Sequence, residues 1–142
     1  MKKIVTFSAY IIAIIFAASA QKIAAGKVPT SVKTSFTKQF PGVATKWEKE
    51  NGKYEASFKK DGNTMSALFE KNGTMTESET DIKVSALPAA VLAYVKANYK
   101  SETIKGAAKI TKSDGTIMYE AEVDGKDVIF DSNGKFVKVM KG

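Results

Sequence analysis

The chain changes its hydrophobic period twice, and in the same order each time. From Val28 an apolar residue recurs at every fourth position, at Val32, Phe36 and Phe40, while Lys33, Lys38 and Gln39 fall on other faces. That spacing predicts a short amphipathic helix opening at Val28-Pro29, where proline's missing N–H costs nothing, and stopped by Pro41-Gly42. The period then drops to two. Val43, Thr45 and Trp47 alternate with polar residues, Asn51-Gly52 marks a hairpin, and Tyr54, Ala56 and Phe58 alternate again. Asp61-Gly62-Asn63 turns the chain into Met65, Ala67 and Phe69, and Asn72-Gly73 turns it into a more polar strand near 74–80. The whole pattern then returns. Leu87-Pro88 opens a second helix with Val91, Val95 and Tyr99 inward and Lys96 and Asn98 outward. Strands follow near 104–111, 116–123, 126–131 and 135–140, separated by Ser113-Asp114-Gly115, Asp124-Gly125 and Asn133-Gly134.

Each repeat, 28–80 and 87–140, is therefore one helix followed by a four-stranded meander, and neither can hide its apolar face alone. The fold class this predicts is α+β: a single domain over 28–142, with one eight-stranded antiparallel sheet backed by both helices on the same face. Alternation puts Tyr54, Ala56, Phe58, Met65, Ala67 and Phe69 under the first helix, and Ile117, Tyr119, Ala121, Val123, Val128 and Phe130 under the second. Lys46, Glu48, Lys53, Glu55, Ser57, Ser66, Glu120, Glu122 and Asp127 fall on the other face, which reads as solvated.

The N-terminus has a different character. Lys2 and Lys3 precede an apolar run from Ile4 to Ala17, and Ala18-Ser19-Ala20 is a small-residue cleavage site before Gln21. Residues 1–20 thus read as a signal peptide, and 21–27 as a flexible leader. The alternative is an uncleaved anchor, although the run is short of the roughly 20 apolar residues a spanning helix needs. No stable membrane anchor is expected after cleavage, and the mature protein is expected to be periplasmic or secreted. The chain has no cysteine, so neither a lipid nor a disulfide is attached through a thiol.

Charge narrows the partners. The net charge is +7, and all 22 basic residues are lysines spread between acids. Specific phosphate and base recognition leans on arginine's planar fork, so a nucleic-acid partner is not expected.

At this level the repeat resembles a known group. The Val/Leu-Pro-x-x-Val helix ending in an aromatic residue, the Tyr-Glu-Ala strand (Tyr54 to Ala56, Tyr119 to Ala121) and the Phe-acid-x-Asn-Gly turn (Phe69 to Gly73, Phe130 to Gly134) are similar to those of the PepSY-like, beta-lactamase-inhibitor-like family. The resemblance runs from Val28 to Val139 in both copies. The first copy departs from the second in a lengthened turn around Lys59-Lys60-Asp61-Gly62 and in lacking a lysine after Asn72-Gly73. The resemblance implies secreted or periplasmic proteins of Bacteroidetes-type bacteria and a tandem-repeat fold whose open sheet face, in the inhibitor type, grips a protein. It supplies no catalytic residue.

Candidate chemistry is sparse. With no histidine and no cysteine, the usual general base and the thiol nucleophile are missing. The pairs Glu120/Glu122 and Glu77/Glu79 each share a strand face about 7 Å apart, yet on a lysine-rich sheet they read as solvated charges. Neither catalysis nor a cofactor is expected. Asp131-Ser132-Asn133-Gly134 looks like a fragment of a calcium loop, but Lys135 arrives where further oxygen ligands are needed and a hairpin explains the same residues. Asn72-Gly73-Thr74 matches a glycosylation sequon and reads as a turn.

Leu68, Met118 and Ile129 fall opposite the helices, either as scattered surface hydrophobes or as a shallow apolar strip. Trp47 is placed half-buried in the sheet, or else as an exposed anchor. The leading expectation is a non-enzymatic binding module engaging a protein or peptide through Lys46, Glu48, Glu55, Ser57, Leu68, Met118, Glu120 and Ile129. The second is a sensor or carrier of an anionic envelope component, a glycan or lipid headgroup, held by dispersed lysines.

Overall fold

The structure is a computed structural model that describes residues 21–141; the expected signal peptide at 1–20 lies outside the described residues. The two helices are α1 (Thr30–Gln39) and α2 (Ala89–Asn98). Nine strands lie in one antiparallel sheet in sequence order: β1 (Gln21–Ile23), β2 (Thr45–Glu50), β3 (Lys53–Lys60), β4 (Asn63–Phe69), β5 (Met75–Ile82), β6 (Ile104–Lys112), β7 (Ile117–Val123), β8 (Lys126–Asp131) and β9 (Phe136–Lys141). The ninth strand corrects the expectation of a flexible leader. Gln21, Lys22 and Ile23 pair with Lys49, Glu48 and Trp47, and the segment 25–27 forms a single 3-10 turn. Ile23 packs on the first core, which is what ties this segment down.

Both helices cover one face. Under α1, Val32 and Phe36 meet Trp47, Tyr54, Ala56, Phe58, Ala67 and Phe69. Phe36 is the centre of an aromatic cluster, with ring centroids 5.2–5.4 Å from Phe40, Trp47 and Phe58. Trp47 is buried there, not exposed as an anchor. Under α2 the same places hold smaller side chains, Val91 and Val95 against Ala121, Val123, Val128 and Phe130.

The repeated turns explain the repeated motif. Gly73 and Gly134, both at positive φ, press against the first turn of their own helix: a Cβ would lie 2.6 Å from the Ser31 carbonyl oxygen in one copy and 2.8 Å from the Ala90 Cβ in the other. Ser31 also donates a 2.6 Å hydrogen bond to the Lys71 carbonyl. Only glycine accepts both the backbone angle and the approach. Asp131 Oδ1 is taken up by the N–H groups of Asn133 and Lys135, at 2.9 Å each, so the turn accounts for the calcium-like fragment. The extra residues around Lys59 to Gly62 extend the β3–β4 hairpin by the pairs Lys59–Thr64 and Lys60–Asn63 rather than lengthening its turn.

Candidate functional site

Register pairs define the uncovered face. In the first repeat Lys46 lies opposite Ser57, Glu48 opposite Glu55, and Glu55 opposite Leu68. In the second, Glu120 lies opposite Ile129, with Met118 one step along β7. The eight sequence-predicted residues therefore share a face but form two groups. Leu68 on β4 and Met118 on β7 are three strand spacings apart, roughly 14 Å.

Met118 and Ile129 are not an exposed strip. They are buried together with Ile110 in a small apolar cluster on the open face, against which Met140 packs. Leu68 is half-buried beside Glu77 on the neighbouring strand.

The carboxylates on this face also depart from the solvated reading. β5 presents Glu77, Glu79 and Asp81, paired with Lys112, Ile110 and Ala108 of β6. On the far side of β6, Glu120 and Glu122 of β7 pair with Ala108 and Gly106. Two acidic rows, roughly 10 Å apart by strand spacing, thus flank a floor with almost no side chain. The result is a trough of about 200 Å³ lined by Glu79, Asp81, Ile82, Gly106, Ala107, Ala108, Glu120 and Glu122. Glu122 Oε2 lies so near the floor that a Cβ on Gly106 would sit 3.1 Å from it. Asp127, opposite Glu122 on β8, extends the acidic group. A wider groove of about 460 Å³, lined among others by Gly62, Asn63, Thr80 and Lys83, lies at the end of the β3–β4 hairpin. It holds none of the perturbed carboxylates.

Burial and like charge raise the proton affinity of the trough. Glu79 is pushed from 4.5 up to about 8, first by burial and then by Glu120, Asp81, Glu55 and Glu77. Glu120 is pushed to about 7, by burial and by Asp127, Asp81, Glu122 and Glu77. Asp127 is raised by burial and by Glu122. Glu77, only 7 % exposed, is different: burial raises it, but Lys112, Lys53 and Lys138 pull it back. The face is therefore polarised, with compensating lysines around Glu77 and uncompensated acids around Glu79 and Glu120. From the sequence alone Glu120 is a partner contact, and Glu77 and Glu79 are surface charges. The sequence signal for the trough is the Gly106-x-Ala108 spacing, two tiny residues on one face of a strand.

Several solved structures share this fold. One is a "putative periplasmic" protein from Bacteroides eggerthii, at 18% identity, covering 80% of this chain and 88% of that one, with a TM-score of 0.72. Another is a DUF2874 family protein from Bacteroides ovatus, at 21% identity, 78% and 85% coverage and a TM-score of 0.69. A third is a BLIP-like protein from Bacteroides fragilis, at 23% identity, 78% and 84% coverage and a TM-score of 0.61. At such identities the likeness concerns the fold. No curated protein matches the chain. Among the described residues, no helix is long and apolar enough to cross a membrane. A family model matches both copies, over residues 16–76 and 52–138, and the chain belongs to the family described as "Putative beta-lactamase-inhibitor-like, PepSY-like".

Proposed function

We propose that the protein is a non-enzymatic, periplasmic binding module that takes a protein or peptide partner on its open sheet face. The observation that carries this reading is the face itself. Both helices back the other side, and this side holds a buried apolar cluster of Ile110, Met118 and Ile129 amid segregated charges. A sheet face that carries segregated charge offers a partner electrostatic complementarity. The lack of histidine and cysteine supports a role without catalysis. The signal-like N-terminus and the fold shared with a "putative periplasmic" protein support the location.

The test is chemical cross-linking in envelope extract of the native host. Ser57 and Ser66 face each other across β3 and β4 on the open face, so Ser57→Trp/Ser66→Trp obstructs it without entering the core. Loss of a reproducible partner in this variant, with the thermal melt intact and Lys96→Glu on α2 unaffected, supports the face. Equal capture by all three rejects it. The anionic-ligand alternative would use the dispersed lysines, among them Lys53, Lys112 and Lys138, which act on Glu77. It predicts steep loss of binding with added salt.

A further inference from the structure

We propose that the trough between β5 and β7 is an anchoring pocket for one arginine side chain of the partner. This rests on the open-face reading above and adds the chemistry of the contact.

Shape comes first. Gly106 and Ala108 leave a gap in an otherwise filled sheet face, and carboxylates from two non-adjacent strands wall it. About 200 Å³ is room for one extended side chain, not for a folded element. Unmet bonding comes second. Glu79 Oε2 is sealed from solvent without a hydrogen-bond partner. A buried polar atom left unpaired costs about 1–3 kcal/mol, so the fold holds this one there at a loss.

Charge comes third. After burial, the strongest influences on Glu79 and Glu120 are carboxylates: Glu55 from β3, Glu77 and Asp81 from β5, Glu122 from β7 and Asp127 from β8. Lys112 and Lys138 act instead on Glu77. The charge that would complement these acids once they ionise is positive, and a partner can supply it.

A metal ion fits poorly, since the described residues form no group of three or more with ligating geometry. Guanidinium fits better than ammonium. Its five donors lie in a plane and serve carboxylates on both walls at once, and its aliphatic stem can lie along Ala108. The raised proton affinity adds a signature. A cation entering the trough must displace protons held by Glu79 and Glu120, so binding strengthens and releases protons as pH rises towards 8.

The probe is a short blocked peptide with one arginine between valines and threonines, with citrulline and lysine analogues. NMR reads the amides of Gly106 and Ala108. The expected result is a shift of these amides with the arginine peptide, at least about tenfold weaker with citrulline, and lost in both Glu79→Gln/Glu120→Gln and Gly106→Val. The second variant fills the trough while keeping its acids. Calorimetry in buffers of different ionisation enthalpy should report proton release. Equal shifts with citrulline, persistence in either variant, or no shift at all overturns the pocket, and equal binding of the lysine peptide overturns its choice of guanidinium. If Ser57→Trp/Ser66→Trp abolishes partner capture while Glu79→Gln/Glu120→Gln does not, the pocket falls and the open-face function stands.

Discussion

Strands β2 and β6 hold the same place in the two repeats and use it in opposite ways. Against β3, β2 sets Lys46 opposite Ser57 and Glu48 opposite Glu55. Against β7, β6 sets Gly106 opposite Glu122 and Ala108 opposite Glu120. The first strand fills its part of the open face with long charged side chains; the second empties it. The helix side shows a parallel contrast, aromatic under α1 and aliphatic under α2. The two copies thus share their turns, while they differ in what the backbone displays and, between Ile104 and Gly106, in register. Structure lies where the copies agree, and the candidate site lies where they differ.

The strongest way to break this comparison is through the two cores. Phe36→Ala removes the ring at the centre of the aromatic cluster and should cost about 3–5 kcal/mol in urea unfolding, against roughly 2 kcal/mol for Val95→Ala. Equal losses would mean that the cores are interchangeable despite their different side chains.

The shared turn comes next. Gly73→Ala should cost at least about 2 kcal/mol, and Gly134→Ala nearly as much, because each adds a collision to a positive φ. Gly115→Ala, with positive φ but open space, should cost only about 1 kcal/mol. Matching melts for all three would show that the approach to the helix is unimportant.

The acids respond in the other direction. Between pH 4.5 and about 8 the native Glu79 holds a proton that the unfolded chain releases, so its contribution destabilises increasingly as pH rises and vanishes below 4.5. At about 1.4 kcal/mol per pKa unit, Glu79→Gln should stabilise the fold by a few kcal/mol near pH 8 and by almost nothing near pH 4. Glu120→Gln should give a smaller gain that also grows from pH 4.5 but levels off at about 7. A pH-independent gain at Glu79 would remove the case for an uncompensated trough.

The smallest effect belongs to the exposed Lys53–Glu70 pair at 3.2 Å, confined to the first repeat. Lys53→Ala read at Glu70→Ala, as a double-mutant cycle, should give under about 0.5 kcal/mol.

Much of the fold was legible without coordinates. Asn51-Gly52 and Asp124-Gly125 place hairpins through residues that accept positive φ, and both pairs adopt it. Tyr54 to Phe58 and Tyr119 to Val123 show their inward faces by alternation, and the cores contain them. Strand β1 escaped because three residues carry no period; its order comes from Ile23 meeting the core and from pairing with β2. The site was legible only in part. Glu120, Met118 and Ile129 were assigned to the right face, but Glu79 was read as a solvated charge.

The reason lies in β6. The register shifts between Ile104 and Gly106, so Ile104 stays under α2 while Gly106, Ala108 and Ile110 turn to the open face. Simple alternation from Ile104 would send them inward. The sequence by itself determined the repeat, the elements, the turns and the sidedness of most strands, because these depend on local backbone preference and a fixed period. Only the tertiary structure decided that acids from β5 and β7 converge over a bare floor, because proton affinity and burial depend on neighbours brought together across strands.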